Sequence, residues 1–281
     1  MKKPPFIIKA SGDRVRFSRQ KLIRSLRRSG ATASIANSVA DKVASKIVHD
    51  KTTTEDIYGR AYQLLRKMKE QPIASRYSLK KAIMALGPTG YPFEQFLGEI
   101  FKRRGYQVQV GVTVQGMCTT HEIDVIAIKE NVHALVEAKF HNQTGIYTDV
   151  KIPLYIHSRF EDVREKLLAD GDTHDTHEPW IVTNTHFTSS AIEYGECKGL
   201  KLLGWRYPES GGLETMIEEA GLHPITCLSS LSTKEKNDFL KNNVVLCQDL
   251  LENQEIFRQF GIKQHKANAL KREASAVCSG R

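Results

Sequence analysis

Glycine and proline cluster at one point of this 281-residue chain, and that point limits how the chain can fold. The cluster consists of Gly87, Pro88, Gly90 and Pro92. These residue types interrupt helices and strands, so the cluster predicts a linker between two folding units. A chain of this length holds either two compact domains or one large domain with appendages.

The balance of charged residues changes sign at this linker. Residues 1–90 contain 20 Lys/Arg against 6 Asp/Glu, residues 91–224 contain 12 against 20, and residues 225–281 contain 9 against 6. We expect the basic segment to meet an anion, either nucleotide phosphates or a nucleic-acid backbone, and the acidic segment to hold a metal. The predicted domains are 1–88, 91–222 and 223–281.

Composition excludes several classes of protein. The hydrophobic fraction is 40% and the charged fraction 26%, which is typical of a globular protein in water. No apolar run approaches the roughly 20 residues of a membrane span, and the apolar stretch near the start is too short for a signal-peptide core. We therefore expect neither a membrane protein nor a secreted one. The five cysteines are scattered and form no CxxC pair, which argues against a disulfide framework or a structural zinc site and fits a reducing cytoplasm.

Periodicity predicts a mixed α/β protein. In the basic segment two β-prone runs, 6–9 and 14–17, precede four helices at 18–30, 34–49, 54–68 and 73–86. The acidic segment reads as helix 93–104, strands 106–114, 121–129 and 133–140, helix 150–169, strand 180–184, helix 188–197 and strand 200–205. This order predicts one mixed sheet covered by helices. The last segment is predicted as two helices, 233–240 and 245–251, followed by a polar tail.

Two strands of the acidic segment carry charged residues at a chemically informative spacing. If the hairpin turn lies between Glu130 and Asn131, antiparallel pairing places Asp124 opposite Glu137. Lys139, two residues further on, faces the same side. Two close carboxylates repel each other and favour a divalent cation between them, and oxygen ligands suit Mg²⁺ or Mn²⁺. Such a metal activates water and stabilises a pentavalent phosphate, while the lysine orients that water.

A plainer interpretation is a surface hairpin with an ordinary salt bridge. A register slip of one residue would also move Asp124 to the opposite face of the sheet. Two features favour the metal site. The preceding helix brings Glu94 near the sheet, and Glu137 and Lys139 lie in an otherwise apolar strand, where unpaired charge is costly.

At these residues the chain resembles the PD-(D/E)XK nuclease superfamily, and within it the Mrr-like restriction endonucleases. The resemblance covers about residues 90–207 and rests on Tyr91-Pro92-Phe93-Glu94, Gly105-Tyr106, His121-Glu122-Ile123-Asp124-Val125, Glu137-Ala138-Lys139, Thr183-Asn184, Phe187-Thr188 and Leu203-Gly204-Trp205. It implies that Asp124 and Glu137 are metal ligands, that Lys139 is the catalytic lysine and that Glu94 is a supporting acid. Mrr-like enzymes commonly have Gln where this chain has Glu137.

Histidines raise further alternatives. His121 and His141 flank the carboxylates and are either phosphate contacts or solvated residues at strand ends. His174 and His177 lie in an acidic loop and could bind a transition metal, but without a nearby cysteine or a helical context a solvated loop is the preferred interpretation.

The basic segment resembles the ATP-cone, a nucleotide-sensing domain of ribonucleotide reductases and their repressor. The motifs are Ile7-Ile8-Lys9-Ala10-Ser11-Gly12, Phe17, Lys21-Leu22, Thr54-Glu55-Asp56-Ile57-Tyr58 and Ala74-Ser75-Arg76-Tyr77. The resemblance implies binding of ATP or dATP by the residues Ile7, Lys9, Lys21, Thr54 and Tyr58. The usual hairpin sequence Lys-Arg-Asp-Gly is altered here, which leaves a cone used only for packing or DNA contact as the alternative.

Together these features predict a Mg²⁺- or Mn²⁺-dependent DNA endonuclease of restriction or defence type, regulated by ATP or dATP and acting as a homo-oligomer. The negative middle segment favours an alternative, a nucleotide-responsive DNA-binding regulator with an inactive nuclease fold. A third alternative is a nuclease for RNA or branched DNA. Residues 224–251 could form a helix–hairpin–helix-like DNA contact, but Asn242-Asn243 stands where a Gly-x-Gly turn is expected, so a packing appendage is the preferred interpretation.

Overall fold

The computed structural model describes residues 4–9, 12–174 and 176–279. The N-terminal part is a two-stranded antiparallel hairpin and a helical bundle with its own apolar core. Ala10 and Ser11 of the expected hairpin turn lie outside the described residues. The elements are β1 (Phe6–Ile8), β2 (Arg14–Arg16), α1 (Arg19–Arg28), α2 (Ala33–Ala44), α3 (Thr54–Lys67) and α4 (Gln71–Tyr77).

Helix starts in this part follow from capping side chains. The Ser18 hydroxyl accepts a hydrogen bond from the Lys21 N–H and begins α1. Thr53 and Asp56 form a reciprocal capping box at the start of α3, which satisfies two backbone N–H groups that have no partner within the helix.

The helix expected at 73–86 is interrupted at Ser78, which lies between α4 and α5 (Leu79–Met84). The Ser78 hydroxyl donates to the Ser75 carbonyl at 2.8 Å, a local bond that competes with regular helix geometry. The break separates two cores. Tyr77 packs in the N-terminal core, whereas Leu79 belongs to the core of the next part of the chain.

The centre of the protein is a mixed five-stranded sheet in the order β3-β4-β5-β7-β9. β3, β4 and β5 pair antiparallel, and β5, β7 and β9 pair parallel. The predicted mixed α/β fold is therefore confirmed. The elements of this part are α6 (Tyr91–Arg103), β3 (Gln107–Gln115), β4 (Thr120–Lys129), β5 (Val132–Lys139), β6 (Tyr147–Thr148), α7 (Lys151–Ala169), β7 (Thr176–Thr183), β8 (His186–Phe187), α8 (Ser189–Cys197) and β9 (Lys201–Leu203).

Helices cover both faces of the sheet. Phe93, Phe96 and Ile100 of α6 pack against one face together with Val125 and Val136. On the other face α7 packs through Phe160 and Val163 against Ile126 and Leu135. β6 and β8 form a small parallel pair that the sequence pattern did not predict.

The C-terminal part is more helical than its polar sequence indicates. It contains α9 (Leu213–Ala220), α10 (Thr233–Lys241), α11 (Asp249–Glu252), α12 (Glu255–Gln259) and α13 (Gln264–Cys278). The expectation of a polar tail is wrong, because α13 buries Ala267, Leu270, Ala274 and Val277 at helical spacing.

The prediction of a helix at 245–251 is also mostly wrong. Its first residues are extended, since the Val245 carbonyl accepts from Ile225 N–H at 2.8 Å and Cys247 N–H donates to the His223 carbonyl at 2.9 Å. Only Asp249–Glu252 are helical. β-branched Val244 and Val245 favour the extended form.

The C-terminal helices share the core of the sheet and also contact the N-terminal bundle. Phe239 and Leu270 belong to the same buried cluster as Phe96 and Val125. Arg76 of α4 donates to the carbonyl groups of Ala276 and Ser279 at 3.1 and 2.7 Å, at the end of α13. Among the described residues no helix combines the length and the apolar character that a bilayer crossing demands.

Candidate active site

β4 and β5 form the hairpin that carries the predicted carboxylates. The register pairs Val125 with Val136 and Lys129 with Val132, as the turn at Glu130 requires. Glu130 has a φ of +52°, in the left-handed region that two-residue hairpin turns use. The regular pairing of β4 with β5 ends just before Asp124 and Glu137, so these two acids lie at the open end of the hairpin, away from its turn.

The strand β4 loses its regular alternation at Asp124. Ile123 and Ile126 pack in the same cluster under α7, although residues three apart in a strand normally face opposite sides. On the neighbouring strand β3, the residue opposite Asp124 in the register is Gly111, which has a φ of +65°. The local distortion turns the Asp124 carboxylate toward the end of β5, where its Oδ2 accepts from the Ala138 N–H at 2.7 Å.

Glu137 is paired with an arginine that sequence reasoning missed. Arg159 Nη2 of α7 donates to Glu137 Oε2 at 2.8 Å, and both side chains are mostly buried, at 12% and 17% exposure. A signal for Arg159 was present in the sequence. It lies between Ile156 and Phe160 on the buried face of α7, where an arginine without a partner would be costly.

The carboxyl groups of this site hold their protons more tightly than usual. Burial raises the pKa of Asp124, and the positive charges of Arg159 and Lys139 lower it by less. Burial and the charge of Asp124 raise the pKa of Glu137. Burial, followed by repulsion from Asp124, Glu122 and Glu137, raises the pKa of Glu94 to about 7. A divalent cation among these carboxylates would offset their repulsion and lower their pKa values.

The structure brings the four predicted catalytic residues together at one end of the hairpin. Glu94 enters from the first turn of α6, Asp124 from β4, and Glu137 and Lys139 from β5. Lys139 is half-buried and is close enough to lower the pKa of both Asp124 and Glu137.

Metal binding at this site would rest on Asp124 and Glu137 rather than on three carboxylates. Among the described residues, Glu94, Asp124 and Glu137 do not form a cluster with every ligand atom within 4.8 Å of the others. Asp124 Oδ2 and Glu137 Oε2 already accept hydrogen bonds, and the second oxygen of each has no such donor among the described residues. One oxygen of each acid is therefore available to a cation.

The flanking histidines have structural partners. His121 Nε2 lies 2.7 Å from Asp162 Oδ2, and its side chain is 13% exposed. His141 Nε2 lies 3.0 Å from Thr148 Oγ1, and burial lowers the pKa of its ring. The alternative of solvated strand-end residues is therefore wrong for both. Asp162 also accepts from the Cys118 N–H at 2.8 Å, so it ties α7 to the loop between β3 and β4.

The predicted nucleotide-binding residues are divided between a cleft and a core. Lys9, Thr54 and Tyr58 line a cleft of about 690 Å³ between the N-terminal bundle and the sheet domain. Ile7 is only 5% exposed and packs inside the bundle. Lys21 is exposed one helical turn before Ser25, a residue that lines the cleft.

Sequence reasoning assigned no binding role to the other positive residues of this cleft. Arg28, Arg76, Lys80 and Arg206 contribute to its walls. Lys80 lies 4.4 Å from the centre of the Trp205 ring, and its ammonium donates to the Asn184 carbonyl. Burial lowers the pKa of Lys80 to about 8. These residues are distant in the sequence from the β1–β2 hairpin that carries Lys9, and only folding brings α1, α4, α5 and the Trp205 loop together.

Comparisons with known proteins agree with part of the sequence analysis. A family model described as "Restriction endonuclease" matches residues 87–204, and one described as "AF1548-like, C-terminal" matches residues 223–278. The resemblance to Mrr-like restriction endonucleases is thereby confirmed. Neither match extends into residues 1–86, so the ATP-cone stays a prediction.

A protein of Archaeoglobus fulgidus described as uncharacterized is 35% identical over 182 residues, which are 64% of this chain and 99% of the relative. The crystal structure of AF1548, a protein of unknown function, is similar with a TM-score of 0.56 and 34% identity, covering 69% of this chain and all of that chain. This chain therefore belongs to the family of the Archaeoglobus fulgidus protein, with a restriction endonuclease domain of the PD-(D/E)XK type at 87–204 and an AF1548-like C-terminal domain at 223–278.

Proposed function

We propose that this chain is a metal-dependent endonuclease that hydrolyses phosphodiester bonds of DNA in a restriction or defence role. The observation that carries the proposal is the convergence of Asp124, Glu137 and Lys139 at the open end of one hairpin, beside Glu94. Carboxylates whose pKa values are raised by burial and mutual repulsion are more typical of a reactive site than of a surface salt bridge.

Asp124 and Glu137 would hold Mg²⁺ or Mn²⁺, which polarises the phosphate and lowers the pKa of a bound water. Lys139 would orient the attacking water or offset the charge that develops on the phosphate. Arg159 positions Glu137 through their ion pair, so that one carboxylate oxygen has a fixed direction before a metal arrives. Glu94, with a pKa of about 7, can accept a proton near neutral pH.

A cleavage assay on supercoiled and linear duplex DNA with Mg²⁺ or Mn²⁺ tests this proposal. We expect Glu137→Gln and Lys139→Ala to lower the rate about 100-fold or more. Lys129→Ala is the matched control, because Lys129 is a lysine at the opposite end of the same hairpin. Cleavage that is unchanged in both site variants would exclude the site. A parallel panel of RNA and branched DNA identifies the preferred substrate.

We further propose that the cleft beside α3 binds ATP or dATP and that this binding regulates the nuclease. Lys9, Thr54 and Tyr58 line it together with more basic than acidic side chains, an excess of positive charge that suits a triphosphate. The acidic ones are Asp13, Glu214 and Glu218. The cleft also has a physical link to the catalytic hairpin. Lys80 donates to the Asn184 carbonyl, and the Asn184 side chain accepts from the His141 N–H at 2.8 Å, two residues after Lys139.

Calorimetric titration with ATP and dATP tests nucleotide binding directly. We expect Lys9→Ala to weaken binding by about 10-fold, which is the size of a lost charge-assisted contact. Lys42→Ala, an exposed lysine on α2, is the control. Heat signals that are absent for the native chain, or equal for both variants, would contradict the cleft as a nucleotide site and leave packing or DNA contact as its role.

The charge distribution supports a second candidate, a nucleotide-responsive DNA-binding regulator with an inactive nuclease fold. Residues 91–224 carry 12 basic against 20 acidic residues, and this field opposes a DNA backbone unless a metal offsets it. Salt-sensitive DNA binding without any divalent-metal uptake would favour the regulator over the enzyme.

Organisation and partners complete the proposal. We propose three functional units at 1–88, 91–222 and 223–281 and assembly into a homodimer or higher oligomer. We also propose that the protein acts in the cytoplasm, because all five cysteines are free thiols, as a reducing compartment would keep them. The region 224–251 stays a candidate DNA contact. In its predicted turn Asn243 adopts a φ of +59°, a conformation that glycine would otherwise supply.

A further inference from the structure

A cluster of imidazole rings lies at the end of β5 remote from the carboxylates. His133 of β5 and His177 of β7 are partners in the parallel register, so their side chains share the face covered by α7. Asp172 and His174 come from the segment that follows α7 and reach the same place. His133 precedes Glu137 by four residues, which is about 13 Å along a strand.

The geometry of this cluster is that of potential metal ligands. Asp172 Oδ2 lies 3.2 Å from His133 Nδ1, and Asp172 Oδ1 lies 2.6 Å from His174 Nδ1. One ligand atom from each of these three residues lies within 4.8 Å of the other two. In a tetrahedral zinc site with bonds of about 2.1 Å, ligand atoms are about 3.4 Å apart. The two short contacts lie below this value and the 4.8 Å limit lies above it, so small adjustments of these three side chains would give the spacing of zinc ligands.

Unsatisfied ring nitrogens provide a second, independent observation. His133 is 6% exposed, and its Nε2 has no hydrogen-bond partner among the described residues. Both ring nitrogens of His177 are buried and likewise lack a described partner. A buried polar atom left without a partner costs about 1–3 kcal/mol. The ring of His133 lies 5.3 Å from that of His174 and 5.6 Å from that of His177, so His177 lies beside the group formed by His133, Asp172 and His174.

The chemistry of the donors selects the ion. Imidazole nitrogens with one carboxylate suit Zn²⁺, whereas Mg²⁺ and Ca²⁺ prefer oxygen ligands. Burial lowers the pKa of His177, as does the positive charge of Arg164 on α7, and Arg164 Nη2 donates to Glu161 Oε2 at 2.9 Å. The earlier expectation that His174 and His177 are solvated is wrong, because the fold provides His133 and Asp172 as neighbours that the sequence spacing did not reveal.

We propose that His133, Asp172, His174 and His177 form a structural transition-metal site for Zn²⁺, separate from the catalytic carboxylates. The ion would fasten the end of α7 to the two central strands β5 and β7. α7 also carries Arg159, so the site would help to fix the helix that positions Glu137.

Zn²⁺ uptake by the full-length chain tests the proposal. After removal of metals with a chelator, we expect one Zn²⁺ to bind per chain in a competition assay with a chromogenic zinc indicator. Co²⁺ in its place is expected to give the visible absorption of a tetrahedral site. His174→Gln and His177→Gln should each weaken Zn²⁺ binding by about 100-fold.

Two controls separate this site from other sources of binding. His157→Gln removes a histidine of α7 that contacts Tyr194 outside the cluster, and it should leave Zn²⁺ affinity unchanged. Asp124→Asn combined with Glu137→Gln removes the catalytic carboxylates and should also leave it unchanged. Stripped protein that binds no Zn²⁺ would overturn the proposal. So would binding that survives both cluster variants or that is lost in the carboxylate variant. The His174 side chain is 26% exposed, so His174→Gln keeps the test open if His177→Gln fails to fold.

Discussion

Replacing Glu94 by glutamine measures how much the ionised Glu94 carboxylate destabilises the folded protein. The folded protein raises the pKa of Glu94 from 4.5 to about 7, chiefly through burial and then through repulsion by Asp124. The unfolded chain therefore loses this proton at lower pH than the folded chain does. Consequently, stability falls as the pH rises between about 4.5 and 7, and the Glu94→Gln variant, which has no proton to lose, does not show this loss.

The size of the effect follows from the shift in pKa. At about 1.4 kcal/mol for each pKa unit, the change from 4.5 to about 7 corresponds to at most ~3.5 kcal/mol. Glu94 is only half-buried, so water screens part of this energy and we expect ~1–2 kcal/mol. The variant should match the native chain below pH 4.5 and exceed its unfolding free energy by that amount above pH 7. Mg²⁺ at pH 8 should shrink the difference, because the cation offsets the repulsion.

Urea denaturation followed by tryptophan fluorescence measures this difference in the relevant domain. The chain has two tryptophans, Trp180 and Trp205, and both pack in the core that contains α6. Glu193→Gln on α8 is the control, since Glu193 is an exposed glutamate of the same domain. An advantage of Glu94→Gln that is constant from pH 4 to pH 8, or that falls with rising pH, would refute the electrostatic reasoning.

Three further substitutions test other parts of the structure by the same denaturation assay. Arg159→Met leaves the mostly buried Glu137 without its ion-pair partner and should lower the free energy of unfolding by about 3 kcal/mol at pH 7. The loss should be smaller at low pH, where Glu137 is protonated. Equal losses at both pH values would contradict the ion pair. Gly111→Ala should cost about 1 kcal/mol from the backbone alone, because φ is +65° and a Cβ atom there meets no atom within 4 Å; a neutral effect would argue against the distortion opposite Asp124. Phe239→Ala should cost about 3–5 kcal/mol and lower the unfolding midpoint reported by Trp205, because both residues lie in one core; an unchanged midpoint would show that the C-terminal helices unfold separately.

The sequence was sufficient to predict features that depend on short-range patterns. The hairpin turn assumed between Glu130 and Asn131 gives the register that β4 and β5 adopt, which pairs Val125 with Val136 and leaves Asp124 and Glu137 next to that pair. The side-chain caps at Ser18 and Thr53 act over an equally short stretch of the chain. Such signals act within a few residues, where backbone geometry leaves few alternatives.

Features that depend on tertiary contact could not be read in this way. The helix α13 was missed because its buried face consists largely of alanine among charged residues, which gives a weak apolar period. Arg159 and the partners of His133 lie on elements far away in the chain, and only the packing of α7 on the sheet makes them neighbours. The end of regular pairing at Asp124 likewise follows from the distorted backbone of β3.

The helix α7 is anchored to the sheet domain at three successive points. Arg159 contacts Glu137, Asp162 contacts His121, and Asp172 just beyond the helix contacts His133. Its opposite side leaves Leu154 and Leu168 exposed. The inner side of this helix therefore holds Glu137, His121 and His133 in fixed positions on the sheet. A designer who alters its packing would change the chemistry of the site while leaving every catalytic residue in place, whereas the outer side is free for tags, labels or new interfaces.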